Sequence, residues 1–219
     1  MTAVAGTRLR QGQRDRWVAP EDYDEALQRH GWAEVVDGRI VVRPEDDVAR
    51  KFGNMHNLVA HRLAVELSEQ WDVVAVSPGL WTIEVSDRGG LWTARQPDVL
   101  ATASPDDVLG EDFRGAPLLV AEVWSPSNTF AEMTAKRRDY HDAGATTLVE
   151  AHATPATRDV RLEWYLRDDR RGTWRLTGFA TGEDDLVVNG PRPFRIRPND
   201  LLALARRRDV TAAVSPGAP

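Results

Sequence analysis

The 219-residue chain contains no cysteine. That excludes disulfides, thiolate nucleophiles and cysteine zinc sites together, and it permits a reducing cytoplasm, the expected location. No stretch approaches about 18 consecutive apolar residues, so no membrane-spanning helix and no membrane partner is expected. Basic charge is not in excess: 28 Lys and Arg face 34 Asp and Glu, for a formal net charge of −6. Nucleic-acid binders are often basic overall, so a nucleic-acid partner here would have to rely on local charge. A phosphate-cradling GxxxxGK[ST] loop and a GxSxG nucleophile elbow are also missing. Arg8, Arg10, Arg14 and Arg16 have no apolar stretch behind them, so the N-terminus does not read as a signal peptide.

What is present suits a soluble globular fold. The chain is 42% hydrophobic and 28% charged, and long enough for one substantial core. Its eight tryptophans are spread along the sequence, as core fillers would be. Residues 1–16 and 211–219 read as tails, and 17–210 as a single domain. "PEDYDEALQRHG" has acidic residues in its first turn and Gly31 after its end, as a short helix should. "AEVVDGRIVV" holds two apolar runs joined by Asp37-Gly38, a strong hairpin signal. In residues 54–70, Met55, Leu58, Val59, Leu63 and Leu67 recur at helical spacing behind a capping Asn54.

Strand candidates follow at 71–76, 80–85, 95–103 and 118–124. The segment "NTFAEMTAKRRDYHDAG" then gives a helix, with a capping box from Thr129 to Glu132 and a stop at Gly144. A strand at 146–151 and a β meander close the chain. The reading is one α/β domain, its buried central strands flanked by helices and its C-terminal part β-rich.

One residue breaks this pattern. "LLVAEVWSPS" (118–127) reads as a buried strand ending in a turn, yet Glu122 stands in its middle. A buried carboxylate takes up a proton or finds a partner. Asp98, after Pro97 in "QPDVLA", opens another inner strand. In the following helix Met133, Lys136 and Tyr140 fall within about 60° of one another, which turns Lys136 toward the core. Two carboxylates and a lysine in apolar surroundings suit a divalent cation. Mg²⁺ prefers carboxylates, carbonyls and water, and the carbonyl of Val123 is a natural third ligand. The lysine would hold the attacking water or stabilise the transition state. His56 and His61 stand about 140° apart on their helix, a poor arrangement for one shared metal.

The order and spacing of these pieces resemble the Uma-type restriction endonucleases, a bacterial group in the PD-(D/E)xK nuclease superfamily. The matching segments are "AEVVDGRIVV", "MHNLVAHRL", "QPDVLA", "GAPLLVAEVWSPS" and "KRRDYHDAGATTLVE", over roughly residues 20–155. The resemblance implies a central mixed sheet with flanking helices and a metal-dependent phosphodiesterase site. It assigns the PD aspartate to Asp98, the acid of the (D/E)xK element to Glu122 and the lysine to Lys136. It adds Glu34 as a further acid of the metal site and His56 as a pocket residue. One position differs from the wider superfamily, the lysine of this family having moved to the following helix, and one differs from the family itself. The superfamily's usual lysine lies two residues after the acid, where this chain has Trp124. The family's aspartate after "AG" is replaced by Glu150, at a position expected to lie outside the metal site.

The expectation is therefore an endonuclease that hydrolyses phosphodiester bonds in DNA with Mg²⁺, or Mn²⁺ as a substitute. A homodimer is the default for cutting two strands. The alternative is a nuclease-fold protein without turnover that serves as a binding or regulatory module, which the acidic balance favours.

Overall fold

The computed structural model describes residues 25–26, 28–29, 33–36, 39–41, 47–76, 81–83, 93–104, 116–125, 128–154 and 156–203. The expected tails at 1–16 and 211–219, the Asp37-Gly38 turn and most of the expected helix at 20–31 lie outside these residues. Residues 25, 26, 28 and 29 of that helix are helical.

The hairpin is present. Strand β1 (Glu34–Val36) pairs with β2 (Arg39–Val41) antiparallel, Val36 opposite Arg39. Helix α1 spans Asp47–Trp71. It begins earlier than Asn54, which is an interior residue and not its cap. Ala49, Arg50 and Lys51 favour helix strongly enough to carry the chain through Gly53, whose cost is about 1 kcal/mol relative to alanine. The helix also takes Trp71 from the expected strand at 71–76. Asp72 turns the chain at φ 52°, leaving β3 only Val74–Val76. Strands β4 (Trp81–Ile83) and β5 (Thr93–Arg95) join the hairpin in a four-stranded sheet ordered β2-β1-β5-β4.

Beyond β5 the chain runs through Gln96, Pro97 and Asp98 into β6 (Val99–Thr102) of the central sheet. Asp98 thus lies just ahead of a strand, since the preceding proline cannot donate to a ladder. Strand β7 (Leu119–Trp124), helix α2 (Phe130–Asp142) and strand β8 (Thr147–Thr154) form a βαβ unit, β7 and β8 running parallel. Strands β9 (Asp159–Asp168) and β10 (Thr173–Thr181) complete a mixed sheet ordered β10-β9-β8-β7-β6-β3. A hairpin of β11 (Leu186–Val188) and β12 (Phe194–Ile196) and a 3-10 turn at Pro198–Leu202 end the described chain. This is the expected mixed sheet with helices and a β-rich end.

Both faces of β7 are covered, and period-2 alternation divides its side chains between them. Leu119, Ala121 and Val123 join Val59, Leu63 and Leu67 of α1 in one core cluster. Trp71, Trp164 and Phe194 extend it; Trp71 and Trp164 meet edge to face, with centroids 5.6 Å apart. On the other face Val120 packs with Leu148 and Tyr140 under α2. Glu122 belongs to this second face. Helix α2 is fixed at both ends: Thr129 accepts the Glu132 N–H at 3.1 Å, and Gly144 follows at φ 94°.

Candidate active site

The antiparallel register of β6 and β7, Val99 opposite Ala121, brings Asp98 beside Glu122 and Val123. Asp98 Oδ2 accepts the Val123 N–H at 2.7 Å and lies 3.0 Å from His56 Nε2. Val123, whose carbonyl is the expected ligand, thus contributes its N–H to fixing Asp98. Asp98 Oδ1 takes no hydrogen bond among the described residues. Burial raises the Asp98 carboxyl, but the hydrogen bond and charge of His56, then Lys136 and the Val123 N–H, hold it below the ordinary aspartate value.

Glu122 finds its partner on α2. Lys136 Nζ donates to both Glu122 oxygens at 3.0 Å and lies 3.2 Å from Glu34 Oε1. The Tyr140 hydroxyl donates to Glu122 Oε1. Helical spacing explains the convergence: Lys136, Asp139 and Tyr140 are three and four residues apart, share one face and are all buried. Burial pushes the Glu122 carboxyl up to about 7; Lys136 opposes this, while Asp98 and Glu34 add to it.

A second ion cluster continues the first. Arg95 Nη1 donates to Glu34 Oε2 at 3.0 Å, and Arg95 Nε to Asp139 Oδ2 at 3.0 Å, with Nη2 reaching the same Asp139 oxygen. The Gln96 N–H donates to Glu34 Oε1 at 3.1 Å. Burial works against the Arg95 charge, but Glu34 and Asp139 outweigh it and hold the guanidinium firmly protonated.

The structure therefore brings Glu34, His56, Asp98, Glu122, Val123 and Lys136 into one neighbourhood. The sequence reading missed Arg95 and Asp139 and gave Tyr140 no role. The spacing of Asp139 and Tyr140 from Lys136 is the signal that could have found two of them.

The donor set suits a hard divalent cation. Among the described residues, four carboxylates, those of Glu34, Asp98, Glu122 and Asp139, gather around the basic side chains of Arg95 and Lys136. Asp98 keeps an open oxygen, and the raised Glu122 carboxyl is one that a cation would ionise. The Asp98 and His56 side chains are 12% and 15% exposed, against 1% for Lys136.

A family model described as "Uma2: Putative restriction endonuclease" matches residues 20–195. The chain belongs to the Uma2 family. Membership supports nuclease function. A crystal structure of "a putative nuclease belonging to DUF820 from Anabaena variabilis ATCC 29413" is similar at TM-score 0.51 and 15% identity, covering 77% of this chain and 88% of that one. At that identity the likeness shows the fold. A search of curated proteins finds no match.

Trp124, at the superfamily's usual lysine position, and Glu150, at the family's aspartate position, both lie on the sheet face that bears Glu122. Trp124 stacks on His152, its register partner on β8, with ring centroids 4.8 Å apart. Glu150, the register partner of Glu122, groups with His152 and Glu163, one ligand atom of each within 4.8 Å of the others. These carboxylates already have partners. Arg137 Nε donates to Glu150 Oε1 at 2.6 Å and its Nη2 reaches Oε2. Glu163 accepts the Tyr165 hydroxyl and lies 3.2 Å from Arg161. Burial, aided by Arg161, pushes the His152 imidazole down to about 4. The Arg137 guanidinium takes the place a cation would need at Glu150.

Proposed function

We propose that this Uma2 chain is a metal-dependent endonuclease acting on DNA, with Asp98 and Glu122 as the ligands of Mg²⁺ or Mn²⁺ and Lys136 as the residue that assists the attacking water. The observation that carries this reading is the Lys136 ammonium bonded to both oxygens of Glu122, with Asp98 tied to the neighbouring Val123 N–H. A bound Mg²⁺ would acidify a water and neutralise charge on the phosphoryl group.

The chain's own residues do the rest. Val123 and His56 hold Asp98 through its Oδ2. Tyr140 and Lys136 orient Glu122. The three donors of the ammonium face Glu122 and Glu34, so a water or phosphoryl oxygen arriving beside Glu122 would meet it as a positive charge already held in place. A homodimer would supply the second site for the second strand.

One observation favours a module without turnover: Glu122 and Glu34 are already held by Lys136, so the cluster's central ion pairs are satisfied from within. Nicking of supercoiled plasmid in Mg²⁺ and Mn²⁺, with calorimetry of metal binding on the same preparation, separates the readings. Cleavage lost in Asp98→Asn, Glu122→Ala and Lys136→Ala supports the nuclease. Metal binding with no cut in DNA or RNA replaces it with the binding module.

A further inference from the structure

We infer that Arg95 is a positioning residue for Lys136, acting through Glu34; the inference rests on the nuclease reading above. The pairing of β1 with β5, Val35 opposite Ala94, sets Glu34 and Arg95 side by side. Arg95 is 3% exposed, and its guanidinium spans from Glu34 on β1 to Asp139 on α2. The two oxygens of Glu34 are divided. Oε2 takes Arg95, while Oε1 takes the Gln96 N–H and faces the Lys136 ammonium at 3.2 Å. Asp139 lies one helical turn beyond Lys136 on the same buried face. Arg95 therefore fixes two things at once: the carboxylate that holds the ammonium, and the helix that carries the lysine.

A lysine stem is flexible, and an ammonium bonded to Glu122 alone would follow that carboxylate wherever it moved. With Glu34 anchored on the opposite side, Lys136 is held between two carboxylates from different elements. Packing alone does not call for this arrangement, because buried ion pairs are often no more stabilising than apolar side chains of the same volume. The planar fork reaches Glu34 and Asp139 through separate nitrogens at fixed angles; a lysine at position 95 keeps the charge but offers one nitrogen on a flexible stem, which loosens the bridge.

The test is Arg95→Lys in the full chain. Three quantities are measured: nicking of supercoiled plasmid in Mn²⁺, Mn²⁺ affinity by calorimetry, and the Lys136 ammonium resonance in nitrogen-15 spectra, assigned by its loss in Lys136→Ala. Nicking should fall about 10–100-fold with Mn²⁺ affinity within about threefold, the size seen when a supporting partner of a site is loosened. The ammonium resonance should shift and exchange faster. In a Lys136→Ala background, Arg95→Lys should cost less than about twofold, because the two residues act as a unit. An unmoved resonance with nicking close to wild type, or a full additive loss in the Lys136→Ala background, overturns the inference and leaves Arg95 a packing ion pair. If the wild type does not nick, the nuclease reading fails and the resonance alone decides on Arg95. If Arg95→Lys does not fold, Asp139→Asn loosens the same guanidinium while keeping side-chain shape, and the same criteria apply to it.

Discussion

Two glutamates stand side by side on β7 and β8, Glu122 opposite Glu150, and each meets a cation from α2. Their cations are consecutive in sequence, Lys136 and Arg137. Glu150 receives a fork: two parallel bonds from one guanidinium, and so both its oxygens are committed. Glu122 receives a point charge shared with Glu34, and it sits close to Asp98, a further carboxylate with an open oxygen. The fork closes its site. The shared ammonium instead leaves Glu122 beside two further carboxylates, Glu34 and Asp98, the arrangement on which the proposed metal site rests.

The largest expected difference between the two pairs is in cleavage. Lys136→Ala should lower plasmid nicking by about 10²–10⁴, the usual cost of losing a positioned acid, base or charge-stabilising group. Calorimetry should find Mn²⁺ binding largely kept. Arg137→Ala should do the reverse. It strands Glu150, which is completely buried, and stability measured in denaturant should fall by about 3–5 kcal/mol. Nicking below the melting temperature should stay within about threefold, as expected of a residue outside the reacting centre. Equal effects of the two substitutions on nicking would erase the distinction between the pairs.

Metal and pH sharpen the comparison at the Glu122 side. Mn²⁺ should raise the melting temperature of the wild type and leave Glu122→Gln unmoved, because only the native ionised site binds it. Without metal, Glu122 is pushed from 4.5 up to about 7 in the fold. A carboxyl that holds its proton more tightly when folded stabilises the fold at low pH. That contribution is fully present below about 4.5 and is lost as pH rises through about 7. Melting temperature in metal-free buffer should thus fall between pH 5 and 8, less so in Glu122→Gln. The Asp98 carboxyl, held below its ordinary value, acts in the opposite sense and only at more acid pH, so the two are separable. An identical pH profile in Glu122→Gln would place the burial cost elsewhere.

How far the site could be read from sequence follows from the same physics. Lys136 was legible because a lysine on the apolar face of a 13-residue helix breaks a long period. Glu122 was legible for the same reason in a six-residue buried strand. The hairpin, the cap at Thr129 and the C-terminal meander each carry local turn or capping chemistry. Arg95 was not legible: β5 has only three residues, too few for any alternation, and a buried arginine there looks like an exposed one. The start of α1 departs from the sequence expectation because Asn54 resembles a cap, while the helix formers ahead of it override that signal.

The smallest expected effect belongs to Tyr140, and it tests whether the electrostatics of the Glu122 site differ from simple packing. The phenol is completely buried and donates to Glu122 Oε1. Burial, then the charges of Glu122 and Glu34, push its own ionisation well above the usual range, so it remains a donor. A hydrogen bond to a carboxylate favours the ionised form. Tyr140→Phe keeps the ring in the cluster with Val120 and Leu148 and removes only that donor. The loss of stability should be about 1–2 kcal/mol at pH 8, where Glu122 is ionised in the fold. It should be smaller at pH 5, where the carboxyl holds a proton and needs the donor less. Chemical denaturation at the two pH values measures the difference directly. An equal loss at both would mean that the hydroxyl contributes packing alone, and that Tyr140 has no part in tuning the carboxylate.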